Sequence, residues 1–317
     1  MNRLTALMLL SATACVALAP SAHAIVVGYT GGTHTQNFDT LPNAASVFGS
    51  ATLLGRGPHA LADAFGSAGL DGWWGANHRG SSTSTEFRAH DGSLASGAGR
   101  GVISFGVEGD NDRALGVLAT SNQVSSFGVI FRNDTSAALD SLVIEFFGEQ
   151  WRRGNVPTPN SLTFGYVVTA TDPSEDAIND IRNPSQNPPL PPGATLLNYT
   201  AVPALDFFAP NTSSPTEVAI NGNAAENRQF RTATLSNLGW APGHYLTLRW
   251  VGVDQSGQDD GVGIDDFVLR PASTGPNIVL GDFNFDGFLD AGDIDVFTEA
   301  LLESAPYAEF IANYGAL

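Results

Sequence analysis

The sequence predicts an all-β fold, an antiparallel sandwich or barrel, followed by a short loop–helix unit at the C-terminus. The chain has 317 residues, of which 35 are glycine and 18 are proline, and this composition disfavours long helices over most of its length. Short runs of alternating or β-branched residues recur between turn residues. Only near the C-terminus does a run with helical spacing appear, directly after an acidic segment.

The first 24 residues predict a signal peptide. Arg3 supplies the positive charge, residues 4–18 form an apolar run, and residues 22–24 (AHA) fit a cleavage site of small residues. The alternative is a lipoprotein acylated at Cys15, but Ala12 stands where a leucine is expected. We therefore expect a secreted or cell-surface protein.

Composition excludes several classes of protein. Cys15 is the only cysteine, so the chain has no thiol chemistry or disulfides once the signal peptide is removed. No second apolar stretch reaches membrane length, which predicts no membrane span after cleavage. The net charge is −18, with 32 acidic residues against 14 basic ones. This balance argues against a nucleic acid partner, because phosphate binding needs a basic surface.

Residues 25–271 contain the runs that predict strands of the sandwich, each seven to nine residues of alternating or β-branched character. They are Gly101–Val107, Arg113–Ala119, Ser126–Arg132, Leu139–Phe147, Ser161–Thr169, Arg231–Leu238, Tyr245–Val253 and Val262–Leu269. The strand context of Trp151, Trp240 and Trp250 predicts that these three indoles belong to the core.

Residues 172–193 interrupt the strands with a proline-rich segment, which favours an extended, solvated conformation. It is either a surface excursion near a binding edge or an insertion without function, and the tolerance of loops for added length favours the insertion. Residues 272–277 read as a short uncharged linker. The predicted units are therefore 1–24, 25–271 and 278–317.

Acidic residues crowd into residues 281–295, GDFNFDGFLDAGDID. Oxygen-bearing groups fall at positions 1, 3, 5, 7, 9 and 12 of a calcium-binding loop, and Gly287 provides the sharp turn at position 6. Ca²⁺ is a hard cation that takes roughly six to eight oxygens. The alternative is a solvated acidic turn. The expected ligands are Asp282, Asn284, Asp286, the Phe288 carbonyl, Asp290 and Asp293.

This loop, with Asp293 in place of a glutamate and a helical run after it, resembles one repeat of a bacterial type I dockerin. The resemblance covers residues 281 to about 303, and residues 307–317 carry no second acidic repeat. It implies a half-dockerin, EF-hand-like unit that serves as a calcium-stiffened terminal tag. A cohesin-like protein is the partner that the resemblance names, although the missing repeat argues against that binding.

Eight short motifs occur in a fixed order along the sandwich segment. They are NFDTLP (37–42), DGWW (71–74), RALG (113–116), GEQWR (148–152), LDF (205–207), NGN (221–223) with Arg228, LRW (248–250) and GIDDF (263–267). Together they resemble a module of bacterial exported proteins, a jelly-roll of the concanavalin-like kind. The resemblance implies a jelly-roll β-sandwich in an extracellular setting and assigns no activity.

Charged residues of these motifs predict a structural network. Glu149 and Arg152 are expected to pair across Trp151. Asp265 and Asp266 must point to opposite sides of a strand, so one of them is expected inside, and Asp266 is expected to pair with Arg113 or Arg152. A turn with Asp254, Asp259 and Asp260 suggests a structural calcium, an Arg–Asp network or plain solvated charge.

Two classes of function follow from the residues. Adjacent Trp73 and Trp74 are candidates for contact with a polysaccharide or surface glycan, because one of two neighbouring strand residues faces solvent when one sheet face is wet. The alternative is a polysaccharide-degrading enzyme, or its accessory, that uses Glu145 and Glu149. No G-x-S-x-G motif is present. We expect a non-catalytic protein for attachment or glycan contact.

Overall fold

The structure, a computed structural model, describes residues 25–43, 50–155, 158–179, 195–212 and 216–272, together with Ile294. Within them the chain forms two short α-helices, α1 (Leu61–Phe65) and α2 (Ser96–Gly99). Strands β1 to β17 are, in order, Val27–Tyr29, His34–Gln36, Ser50–Leu54, His59–Ala60, Trp73–Arg79, Ser84–His90, Gly101–Phe105, Ala114–Leu118, Val124–Asn133, Leu139–Arg153, Ser161–Thr169, Thr200–Ala201, Phe207–Phe208, Val218–Ala219, Arg228–Trp240, Tyr245–Gly252 and Gly261–Pro271.

The strands form two sheets. The first has the order β12-β11-β16-β9-β5-β4, with β1 beside β9 and β13 beside β11. The second has the order β14-β10-β17-β8-β7-β6-β3, with β15 beside β10 and β2 beside β17. Each of the eight runs predicted from the sequence coincides with a strand, β7 to β11 and β15 to β17.

The two sheets pack face to face around Trp250. Its ring on β16 lies 5.6 Å from that of Phe127 in the first sheet, and 5.5 and 5.9 Å from those of Phe146 and Phe267 in the second. Such close aromatic packing between two sheets is the core of a β-sandwich. The all-β sandwich prediction is therefore confirmed. Trp240, Trp250 and Trp151 are all buried as predicted.

The prediction of a purely antiparallel sandwich is wrong for two pairs of strands. Strand β7 runs parallel to β6, and β1 runs parallel to the last part of β9. The segment with α2 connects β6 to β7, and a connection of this length lets the chain return to the same end of the sheet. Strand β1 pairs with residues 131–133 of β9, beyond the residues that pair with β5.

Several predicted segments lie outside the described residues. They include the signal peptide (1–24), residues 180–193 of the proline-rich segment, residues 273–277 of the linker and all of 278–317 except Ile294. In the part of the chain that the structure describes, no helix has both the length and the apolar character needed to cross a membrane.

Candidate functional site

Both tryptophans proposed for glycan contact are fully buried. Trp73 belongs to the main core, where its ring lies 4.7 Å from that of Phe38. Trp74 points to the outer face of the first sheet and packs with Ile130 and Ala177 in a separate cluster. The expectation that one ring faces solvent is wrong, because the segment that contains Ala177 covers the outer face at this point.

The expected pair between Glu149 and Arg152 is also wrong. Glu149 is 0% exposed; it accepts a hydrogen bond of 3.0 Å from the indole N–H of Trp151 and lies 3.6 Å from Arg228 Nε. Arg152 instead forms an ion pair with Glu217 and donates to a backbone carbonyl. Alternation along β10 explains this, since Glu149 and Trp151 share one side of the strand.

Asp265 and Asp266 diverge at a β-bulge. The register of β10 and β17 shifts between Glu145 and Phe147, so that one residue of β10 faces two of β17. Asp266 takes a φ of 50° there, in the left-handed region. Asp265 is therefore buried, at 4% exposure, while the side chain of Asp266 is 54% exposed.

Asp266 has a different partner from those expected. Its carboxylate lies 3.4 Å from Arg228, which also approaches Glu149 and stacks 3.8 Å from the centre of the Phe147 ring. The guanidinium of Arg113 is held by the hydroxyl and carbonyl of Ser104 instead. The pairing of Asp266 with Arg113 or Arg152 is wrong, and Arg228 joins Glu149 to Asp266.

Further carboxylates influence these residues electrostatically. Burial raises the pKa values of Asp39, Glu149 and Asp265. The charges of Asp112 and Asp266 raise all three pKa values further. We call this group the carboxylate cluster; it consists of Asp39, Asp112, Glu149, Asp265 and Asp266.

Burial dominates the electrostatics of the two inner members. It raises the pKa of Asp265 to about 9, and the charges of Glu149, Asp266 and Asp112 add to the rise. Burial also raises the pKa of Glu149 to about 7, against the opposing charge of Arg228. Oδ1 of Asp265 and Oε1 of Glu149 are buried without a hydrogen-bond donor. The cluster thus holds two carboxyl groups whose surroundings favour the protonated, neutral form.

The turn with Asp254, Asp259 and Asp260 has another arrangement. Asp260 accepts hydrogen bonds from the backbone N–H groups of Gly154 (2.7 Å) and Asn160 (3.1 Å). Asp259 accepts from Asn160 Nδ2 and from the N–H of Gln255. Burial, with a further contribution from Asp254, raises the pKa of Asp259 to about 7. These carboxylates fasten loops through backbone donors, and the described residues form no arginine ion pair with them.

The two glutamates of the enzyme hypothesis have separate surroundings. Glu145 forms an ion pair of 2.9 Å with Arg270. Glu149 is fully buried and is therefore out of reach of a polymer in this conformation. Two carboxyl groups that act on a glycosidic bond have to flank the sugar, and a carboxyl without exposed surface does not do so.

A groove on the outer side of the first sheet was not anticipated from the sequence. It has a volume of about 310 Å³, and the guanidinium of Arg249 lies 3.5 Å from the centre of the Tyr199 ring inside it. The Tyr199 hydroxyl donates a hydrogen bond of 2.7 Å to the Ala177 carbonyl. We call this the Tyr199 groove; its lining is Thr163, Phe164, Gly165, Leu197, Asn198, Tyr199, Ala201, Arg249 and Val251.

One signal in the sequence pointed to this groove. In the run YLTLRWVGV, Arg249 stands between Leu248 and Trp250, which are both in the core, so alternation places Arg249 on the outer face. Tyr199 follows the proline-rich segment and has no periodic neighbours. Its position therefore depends on the tertiary fold.

The expected calcium ligands Asp282, Asn284, Asp286, Phe288, Asp290 and Asp293 lie outside the described residues. Within the described ranges, no group of three or more His, Cys, Asp or Glu side chains has an arrangement that could hold a metal ion.

No family model and no curated protein matches the chain. Similar solved structures include the K2 cleaved adhesin domain of Lys-gingipain, at 11% identity over 76% of this chain and 98% of that one, with a TM-score of 0.30. The K1 domain from Porphyromonas gingivalis W83 has 12% identity over 77% and 100%, with a TM-score of 0.28. TmCBM61, in complex with β-1,4-galactotriose, has 8% identity over 52% and 74%, with a TM-score of 0.24. Similarity this low, in sequence identity and in TM-score, establishes neither a family nor a ligand for this chain.

Proposed function

We propose that the chain is a secreted or cell-surface jelly-roll protein without catalytic activity, which contacts a polysaccharide or surface glycan through the Tyr199 groove. The observation that carries this proposal is the pairing of an aromatic ring with a guanidinium inside a half-open groove. Trp73 and Trp74 take no part, because both are buried.

The groove has the chemical character that a sugar requires. A sugar ring presents apolar C–H groups on its faces and hydroxyl groups around its edge. Tyr199 supplies apolar surface, while Thr163, Asn198 and Arg249 supply hydrogen-bonding groups. Ligand sites in proteins combine apolar walls with a few polar groups in this way. Gly165 adds no side chain to the floor, which keeps the groove open beside Tyr199.

The test is retention of the purified mature chain on xylan, galactan, β-glucan and chitin, with reducing ends measured in parallel. We expect binding to at least one of them without release of sugar. Tyr199→Ala should weaken that binding about tenfold or more, as expected for an aromatic anchor. Phe208→Ala removes another exposed ring of the same sheet, outside the groove, and should leave binding unchanged.

Three results would contradict this function. Absence of binding to every polysaccharide would remove the glycan role, and full binding by a folded Tyr199→Ala variant would place the site elsewhere. Released reducing ends would support the alternative, a polysaccharide-degrading enzyme. Melting curves of both variants exclude loss of folding as the cause of any change.

We further propose that the C-terminal unit binds one Ca²⁺ through the loop from Asp282 to Asp293. Its support is the spacing of oxygen ligands in the sequence. Asp286→Ala should remove this binding in a calorimetric titration. Asp295→Ala changes an acidic residue of the same segment that is not at a ligand position, and should leave it intact. Equal effects of the two substitutions would instead indicate a solvated acidic turn.

A further inference from the structure

We propose that a second cavity of the sandwich binds a neutral sugar through its hydroxyl groups. Residues 120–121, residues 254–259 and Gly97 line this cavity, which we call the loop cavity. Its volume is about 580 Å³, compared with about 310 Å³ for the Tyr199 groove, and the two share no lining residue. The proposal therefore does not depend on the function proposed for the groove.

Hydrogen bonds within the protein hold the backbone of both loops in place. The backbones of Thr120 and Gln123 exchange two hydrogen bonds, of 2.9 and 3.0 Å. The N–H of Gln258 donates a bond of 3.0 Å to Oδ1 of Asn155, and the N–H of Asn155 donates one of 3.1 Å to the Gln258 carbonyl. The cavity is therefore formed before a ligand arrives, which reduces the conformational entropy that binding costs.

Polar side chains on the same loops are free for contacts with a ligand. Among the described residues, the side chains of Ser121, Gln255 and Gln258 form no hydrogen bond, since the bonds of the two glutamines use the backbone alone. A serine hydroxyl and a glutamine amide can each donate and accept hydrogen bonds. Ser121 and Gln258 are exposed and belong to different loops, so both loops offer hydrogen-bonding groups to a ligand in the cavity.

The composition of the lining favours a neutral and thoroughly polar ligand. The lining includes no basic side chain, and Asp254 and Asp259 repel a phosphate, sulfate or carboxylate group. It also includes no aromatic ring and no large aliphatic side chain, so an apolar ligand gains little from burial there. Ligand pockets of roughly 300–1,000 Å³ are mostly lined by apolar side chains. A cavity of this size with a polar lining therefore suits a molecule with hydroxyl groups on all sides, as a sugar has.

An organic cation is the alternative occupant, because Asp254 and Asp259 supply negative charge. Asp259 is 1% exposed and already accepts hydrogen bonds from Asn160 Nδ2 and from the N–H of Gln255. Burial raises the pKa of Asp259 to about 7, and Asp254 adds to the rise, so part of its charge is lost near neutral pH. Asp254 is exposed, and water and salt screen its charge. The hydrogen-bonding side chains therefore favour a hydroxyl-rich ligand over a cation.

The experiment uses the full mature chain with Tyr199→Ala, which removes the aromatic ring of the groove. This chain is titrated in a calorimeter with the neutral oligosaccharides cellotetraose, xylotetraose and galactotriose, and we expect at least one of them to bind. Gln258→Ala and Ser121→Ala each remove one side-chain hydrogen bond and should each weaken that binding about three- to tenfold. Gln229→Ala changes an exposed glutamine outside the cavity and should leave binding unchanged.

Asp254→Asn on this background separates a neutral sugar from a cation. An amide still forms hydrogen bonds with hydroxyl groups but carries no charge. Binding of the neutral oligosaccharide should therefore fall no more than about tenfold. A chitosan tetramer, which carries ammonium groups, is the probe for the alternative. Tighter binding of this probe than of every neutral oligosaccharide, lost in Asp254→Asn, would overturn the assignment to a neutral sugar.

Two further outcomes would overturn the proposal. One is that no neutral oligosaccharide binds the Tyr199→Ala chain, and the other is undiminished binding when Gln258→Ala and Ser121→Ala are combined. Because both side chains are exposed, these variants are expected to fold, and melting curves verify this. Failure of the loop cavity is distinct from failure of the groove, since the groove is tested by the loss of polysaccharide retention in Tyr199→Ala with both loops intact.

Discussion

The indole N–H of Trp151 donates a hydrogen bond of 3.0 Å to the buried carboxylate of Glu149, two residues earlier on β10. Trp151 packs in a small apolar cluster on the outer side of the second sheet, where its ring is parallel to that of Phe105. The position of Glu149 is therefore set by a packed ring rather than by a flexible basic side chain. This fixes one wall of the carboxylate cluster.

Trp151→Phe tests this relationship. The substitution keeps an aromatic ring in the apolar cluster and removes the donor to Glu149. We expect Trp151→Phe to lower the free energy of unfolding by about 1–3 kcal/mol more than the same substitution at a buried tryptophan without a hydrogen bond. The reason is that the buried acceptor on Glu149 loses its partner. Trp74→Phe is the control, because Nε1 of Trp74 has no hydrogen-bond partner. Equal losses in chemical denaturation would show that the hydrogen bond contributes nothing.

The strands could be predicted from the sequence because a strand with one buried face shows apolar and polar residues in alternation. The predicted run Ser161–Thr169 coincides with β11, and Leu139–Phe147 is the first part of β10. The continuation of β10 through GEQWRR was missed, since its outer face is covered and the alternation disappears.

Contacts between distant residues were not predictable in the same way. Glu149 lies directly across from Arg228 in the register of β10 and β15, and this register is a property of the whole sheet. The burial of Trp74 depends on Ala177, in a segment whose composition indicates only a solvated insertion. Both failures concern partners far apart in the chain, which local patterns do not encode.

Gly128→Ala tests the packing that buries Trp74. A Cβ at Gly128 would lie 2.6 Å from Cζ2 of Trp74 and would also meet the carbonyl oxygen of Leu248. The ring or the strand has to shift, so we expect a loss of about 1–3 kcal/mol in the free energy of unfolding. Gly97→Ala is the control, because a Cβ there meets nothing within 4 Å. An unchanged Gly128→Ala variant in thermal and urea denaturation would contradict this close packing.

Asp260→Ala tests whether the turn charges are structural. Asp260 is buried and accepts hydrogen bonds from the N–H groups of Gly154 and Asn160. Without it two buried donors lose their acceptor, and we expect a loss of about 2–4 kcal/mol in unfolding free energy. Asp140→Ala removes the acceptor of an exposed N–H group, that of Gly239, and should lower the unfolding free energy by less than Asp260→Ala does. A calcium response that vanishes in Asp260→Ala while folding persists would instead favour an ion at this turn.

Acid should destabilise the sandwich through His90. Its Nε2 lies 3.2 Å from the Gly99 carbonyl, while Nδ1 accepts the N–H of Gly92, an arrangement that requires the neutral ring. Burial lowers the pKa of His90 to about 4, with Arg152 and Arg88 adding to the decrease and Asp91 opposing it.

The direction of the pH effect follows from this lowered pKa. In the unfolded chain the imidazole has its ordinary pKa near 6.5, so between about pH 6.5 and pH 4 the unfolded state binds more protons. The contribution of neutral His90 is complete above about pH 6.5 and is lost as the pH falls toward about 4, on the order of 3 kcal/mol in total. His90→Asn cannot take up this proton. At about pH 8 the His90→Asn variant should have a lower free energy of unfolding than the parent. Between about pH 6.5 and pH 4 the variant should lose less of that free energy than the parent does. Urea denaturation of both chains across that interval measures the difference, and parallel pH profiles would show that His90 is not the group responsible.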